Sequence, residues 1–182
     1  MIRFFCVLLL LILGAFLFQL YLPPVLLLQG APILLVPGLY FYGAVALPFP
    51  LMLALTLYTG LLNDLFAVPQ TDAHTEFPAG LSIIVYAIPG LVMHGFRPLF
   101  LRYRWLWHFF LAEVSACLTP FLPAADYVIL SFVRREFYYS DVIVWRIVGP
   151  GLMSLVIAPC LFFILTPLAQ LLQYRPRLKN VG

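Results

Sequence analysis

Charge is what this sequence has least of. Its 182 residues include ten lysines and arginines and seven aspartates and glutamates, 9% of the chain against a hydrophobic share of 64%. Soluble domains carry about a quarter of their residues as charges, and a mean hydropathy of +1.06 excludes that class. Paired cysteines are missing too. Cys6, Cys117 and Cys160 each stand alone in an apolar segment, at no metal-ligand or redox spacing, and are expected to be buried, inert thiols. No HExxH, Ser/His/Asp or paired-carboxylate arrangement is present, so no enzyme activity and no cofactor are expected. Linkers, repeats and low-complexity tracts are absent as well. Residues 1–182 read as one polytopic membrane domain.

What the chain has in abundance is apolar runs separated by short polar breaks. A bilayer core needs roughly 20 helical residues to cross, and the runs give candidate spans at 4–22, 33–47, 49–67, 78–95, 105–132 and 142–172. Backbone groups in lipid must be satisfied within the segment, and no alternating barrel pattern occurs, so the expected fold is all-α with six transmembrane helices. The count becomes five if 33–67 crosses once. Two prolines in Pro48-Phe49-Pro50 argue against a continuous helix there. The first run is longer than a signal-peptide core, with no small-x-small cleavage site after it, and reads as a retained anchor.

The basic residues orient the spans. With six crossings, Arg3, Arg97, Arg102, Arg104, Arg175, Arg177 and Lys179 share one side, while Arg134 and Arg135 lie on the other. The positive-inside rule puts that first side, with both termini, in the cytoplasm. Tyr103, Trp105 and Trp107 at one face, and Phe137, Tyr138, Tyr139 and Trp145 at the other, fit interfacial belts. The basic loop 97–104 is explained by anionic lipid headgroups. Nucleic acid is a poor partner for so few charges.

Ionisable residues inside spans carry more information, since a charge at the bilayer centre costs about 2.5–3.5 kcal/mol. Asp64 follows Asn63 near the outer end of span three, Glu113 lies two turns into span five, Asp126 near its outer end, and Arg146 one turn into span six. Opposite directions of travel bring Asp126 and Arg146 to similar depth, so an ion pair between them is expected. Glu113 has no evident partner. Asp72, His74 and Glu76 alternate in the outer loop and would point the same way if extended, but a solvated turn is the better reading and no metal site is assigned. Gly149-Pro150-Gly151 suggests a bend or close helix contact, and Gly38 with Gly43, or Gly149 with Gly151 and Ser154, are candidate helix-docking faces.

One stretch resembles a known family. Gly60-Leu61-Leu62-Asn63-Asp64-Leu65-Phe66 closes span three and Gly80-Leu81-Ser82-Ile83-Ile84-Val85-Tyr86 opens span four. This is similar to MreD, the multi-span rod-shape-determining protein, whose third span commonly ends in Gly, two apolar residues and an Asp. Gln19 at the end of span one, Ala46-Leu47-Pro48 before span three and a Gly149-centred last span agree, while the proline-bounded insert 69–78 departs from the family. The resemblance implies a non-catalytic scaffold of cell-wall elongation in the bacterial inner membrane. Its partners would be a bitopic MreC-like protein, with RodA, its transpeptidase and MreB filaments beyond. It also implies that Asp64 caps or ties the turn between spans three and four, with Gly60 permitting close packing and Gly80 acting as a hinge. The alternative is a substrate-capture subunit of an energy-coupling-factor vitamin transporter, whose compact bundle MreD resembles. That reading would use Asn63, Asp64, Asp72, His74 and Glu76 as a ligand cup, but an Ala-x-x-x-Ala signature in span one is missing.

Overall fold

The computed structural model describes residues 2–25, 28–66, 80–102, 105–134 and 140–172, and every regular element among them is a helix. In order these are α1 (Ile2–Gln19), α2 (Val36–Ala46), α3 (Phe49–Phe66), α4 (Leu81–Gly95), α5 (Arg97–Arg102), α6 (Trp105–Leu118), α7 (Phe121–Arg134) and α8 (Asp141–Leu171). Four stretches are long and apolar enough to cross a membrane: α1, α3, His108–Ile129 and α8. Helices α2 and α4 are apolar but shorter.

The interruption at Pro48 is where the sequence puts it. Leu47 is extended (φ −80°, ψ 153°), the conformation a residue before proline prefers, and α3 starts at Phe49. What the sequence does not announce is the role of α2. Its 11 residues would rise only about 16 Å, and all of them are buried. A helix apolar or small on every side can be surrounded on every side, and α1, α3, α4, α6 and α8 all pack on this one. Its aromatic rings key the neighbours in place. Tyr42 meets Phe162 of α8 edge-on at 5.1 Å and Phe4 of α1 at 6.4 Å, and Tyr40 meets Tyr86 of α4 at 5.2 Å.

Three expectations change. The small-residue faces do not await a partner helix. A methyl group at Gly43 would fall 2.5 Å from Leu8 and Leu55, one at Gly38 would fall 2.7 Å from Leu161, and Gly149 and Gly151 lie against Ala31 and Pro120. Those faces are consumed inside the bundle, and Ser154 is buried with them. The cysteines are exposed, all three on the outer surface, because a lipid-facing position accepts an apolar thiol as readily as the core does. The run 105–132 is not one helix. A turn at Thr119–Pro120 separates α6 from α7. Helix α6 then packs most extensively on α8, while α7 turns aside onto α4 and, less closely, α8. In α7 the sides are reversed relative to a soluble helix: Phe121, Val128 and Phe132 are exposed, while Ser131 is buried and Asp126 half-buried.

Candidate functional site

One cluster of polar side chains, Asn63, Asp64 and Ser82, joins the end of α3 to the start of α4. Helix α4 opens on Gly80, which has φ +99° and no side chain to cap the helix. A helix start leaves backbone N–H groups without partners, and in an apolar environment each must find one. Asp64 of α3 supplies what Gly80 lacks. Its Oδ2 accepts from the Gly80 N–H at 2.5 Å and its Oδ1 from the Ser82 N–H at 3.3 Å, at 3% exposure. Ser82 is the second residue of the helix, the position an N-cap side chain normally serves. Asn63 adds a third tie, its Nδ2 donating to Ser82 Oγ at 3.0 Å.

The two helices can meet this closely because of Gly60. A Cβ there would stand 2.6 Å from the Ile83 backbone N and Cα, and backbone cannot rotate out of the way. Asp64 is therefore both a cap and a cross-link. Its charge sits against its own α3 C-terminus, where the helix dipole disfavours it, and against the α4 N-terminus, where the dipole favours it. Two direct N–H donors decide the balance.

On the same end of the bundle, Gln19 closes α1 onto α2. Its Nε2 donates to the Ile33 carbonyl at 3.1 Å and its Oε1 accepts from the Val36 N–H at 3.3 Å, satisfying the first helical residue of α2. Beside it, Phe16 stacks on Phe66 at 5.4 Å. An open groove of about 450 Å³ runs between these elements, lined by Phe16, Leu22, Ile33 and Phe66 with Gln19 and Asn63 as its polar members.

Deeper in, sequence reasoning missed a second polar node. The Tyr40 hydroxyl donates to the Tyr86 carbonyl at 2.8 Å and lies 2.8 Å from Thr56 Oγ1. Thr56 also reaches the Met52 carbonyl at 2.9 Å. Two hydroxyl protons serve these contacts: Tyr40 gives its own to Tyr86, so the Thr56 proton is shared between the Tyr40 oxygen and Met52. Gly90 makes room for the hydroxyl, since any Cβ there would overlap it. The available signal was a tyrosine in an all-apolar run, with Pro89-Gly90 in the helix it meets. At the opposite end of α2, His94 Nδ1 lies 2.8 Å from the Ala44 carbonyl and must carry the proton in that bond.

The remaining sequence-derived residues fall elsewhere. Glu113 is half-buried on α6, away from the α3–α4 ties. Gly149 packs on Ala31. Asp126 and Arg146 form no ion pair: Arg146 is exposed on α8, and Asp126 is half-buried on α7, which packs on α4 as well as on α8. The expectation rested on depth along two uninterrupted spans, and the turn at Thr119–Pro120 interrupts one of them. Asp72, His74 and Glu76, the tail residues Arg175, Arg177 and Lys179, and the segment 135–139 lie outside the described residues. Compared with protein-family models, curated proteins and solved structures, the chain matches none.

Proposed function

We propose that this chain is a non-catalytic scaffold of the MreD kind, seated in a bacterial cytoplasmic membrane, that holds a bitopic MreC-like partner of the cell-wall elongation machinery. The observation that supports this reading is the Asp64 tie. The residues that carry the resemblance, Gly60, Asn63, Asp64 and Gly80, are the ones that lock α3 to α4. Polar groups spent on holding helices in register give a fixed surface for another protein. Six crossings belong to the same reading, with α2 and α4 completing the count and both termini cytoplasmic, as does a compact bundle like that of the transporter subunits.

A second reading has its own support. The groove beside Gln19 and Asn63 is of the size that small ligands use, which favours substrate capture for an energy-coupling-factor transporter. One experiment separates the two. The tagged chain and its Asp64→Ala variant are extracted in mild detergent and the bound proteins identified by mass spectrometry. The scaffold reading expects an MreC-like protein and wall-synthesis enzymes with the parent, and several-fold less of them with an inserted Asp64→Ala. Recovery of an ATPase pair with a coupling subunit would replace it with the transporter reading.

A further inference from the structure

We propose that Arg146 is a binding point for the phosphodiester of a membrane lipid. Arg146 is exposed on α8, on the same face as exposed Val142 one turn before it, and it is the only charged residue in that helix after Asp141. Asp141 sits five residues back, off the i±3 and i±4 positions that share a helix face, and no ion pair joins them. The carboxylate that depth alone would pair with it, Asp126, lies on α7, which packs on both α4 and α8, and no ion pair joins the two.

The length of α8 says which anion is within reach. Its 31 residues rise about 46 Å, and a hydrocarbon core is about 30 Å thick, so a centred helix extends about 8 Å past each boundary. Arg146 stands about 7.5 Å along the axis from Asp141, at the boundary itself. A guanidinium there can extend outward along its own methylene stem and reach the phosphate layer, where it can donate two parallel N–H bonds to one phosphodiester. Half-buried Trp145 beside it suits the same interfacial depth. This inference is independent of the scaffold reading.

The test is native mass spectrometry of the intact protein. It is exchanged into an equal mixture of phosphatidylglycerol and phosphate-free glucosyl diacylglycerol, and the ratio of the two lipids retained is measured. The parent is expected to prefer phosphatidylglycerol. Arg146→Gln is expected to lower that ratio about fivefold, roughly the share of one cation at an anionic surface, and Arg146→Lys to keep part of it. A second neutral variant, Arg146→Met, serves if the glutamine variant melts abnormally. A parent without preference, or neutral variants that fold and keep the parent's ratio, would overturn the proposal.

Discussion

At the scale of a residue, Asp64 shows how a missing side chain in one place fixes the need for one elsewhere. Gly80 occupies a left-handed backbone position at the start of α4 and offers no oxygen, so the acceptor comes from α3, 16 residues earlier. Each of its two contacts is a charge-assisted bond, the one to Ser82 buried and the one to Gly80 partly so, the kind worth about 1.5–3 kcal/mol. Replacement by asparagine keeps one acceptor oxygen and removes the charge. Asp64→Asn, which gives up one of the two bonds, should therefore lose about 1.5–3 kcal/mol, and Asp64→Ala, which strands both backbone donors, about 3–6 kcal/mol. Thermal unfolding in detergent reads both. Equal melting of parent, Asn and Ala would mean that water or lipid headgroups satisfy Gly80 and Ser82 instead. The identity of this residue could be read from the sequence, because a carboxylate at a span end is rare. The resemblance also implied a tie across the turn to span four, and the bonds to Gly80 and Ser82 agree with it; which carboxylate oxygen meets which N–H could not be read from residue order.

At the scale of an element, α2 and α4 form a matched pair, and the match is one hydroxyl in one glycine notch. Tyr40 is fully buried, with its ring held edge-on to Tyr86, so it has no free volume in which to retreat from a methyl group at position 90. Gly90→Ala should then cost about 1–3 kcal/mol by overpacking. Tyr40→Phe alone should cost about 1 kcal/mol for the hydrogen bond to the Tyr86 carbonyl. Removing the Tyr40 hydroxyl takes away the closest of these contacts and leaves the ring Cζ at 2.9 Å, so the double variant should be more stable than the sum of the two costs predicts, by at least 0.5 kcal/mol, about the lower limit for residues in contact. Additive costs in a double-mutant cycle would show that α4 adjusts at Pro89 and that the notch is not shared. Sequence reasoning expected a helix ending before Pro48, and α2 is there. It also expected a span over 33–47, without saying where in the bundle it stood, and α2 is an 11-residue helix buried along its whole length among α1, α3, α4, α6 and α8. Hydrophobicity alone cannot separate those cases, because a lipid-facing surface and a packed core select the same residues.

For the whole molecule, that lack of contrast decides what the sequence could convey. Helical class and approximate helix ends follow from run length and from prolines, and both survive into the fold except within 105–132, which breaks at Thr119–Pro120. Inside and outside do not follow, and the cysteines are the clearest instance. Apolar context suggested burial for Cys6, Cys117 and Cys160, yet each lies on the exterior of the bundle. Their flanks agree: Leu10 and Phe163, one turn away from Cys6 and Cys160, are 68% and 82% exposed. Single-cysteine variants carrying a nitroxide therefore provide a map of the exterior in a bilayer. Oxygen concentrates in lipid, whereas a hydrophilic nickel chelate stays in water, so a label facing hydrocarbon relaxes with the first and ignores the second. Cys117, near the end of α6, and Cys160, well inside the 31-residue α8, should show this lipid signature without loss of stability. Cys6, four residues into α1, should show it with some response to the chelate. A label at Cys160 that neither reagent reaches would place that side of α8 against protein. The bundle would then require a second chain, or a different packing of α8, to cover a surface that is exposed here.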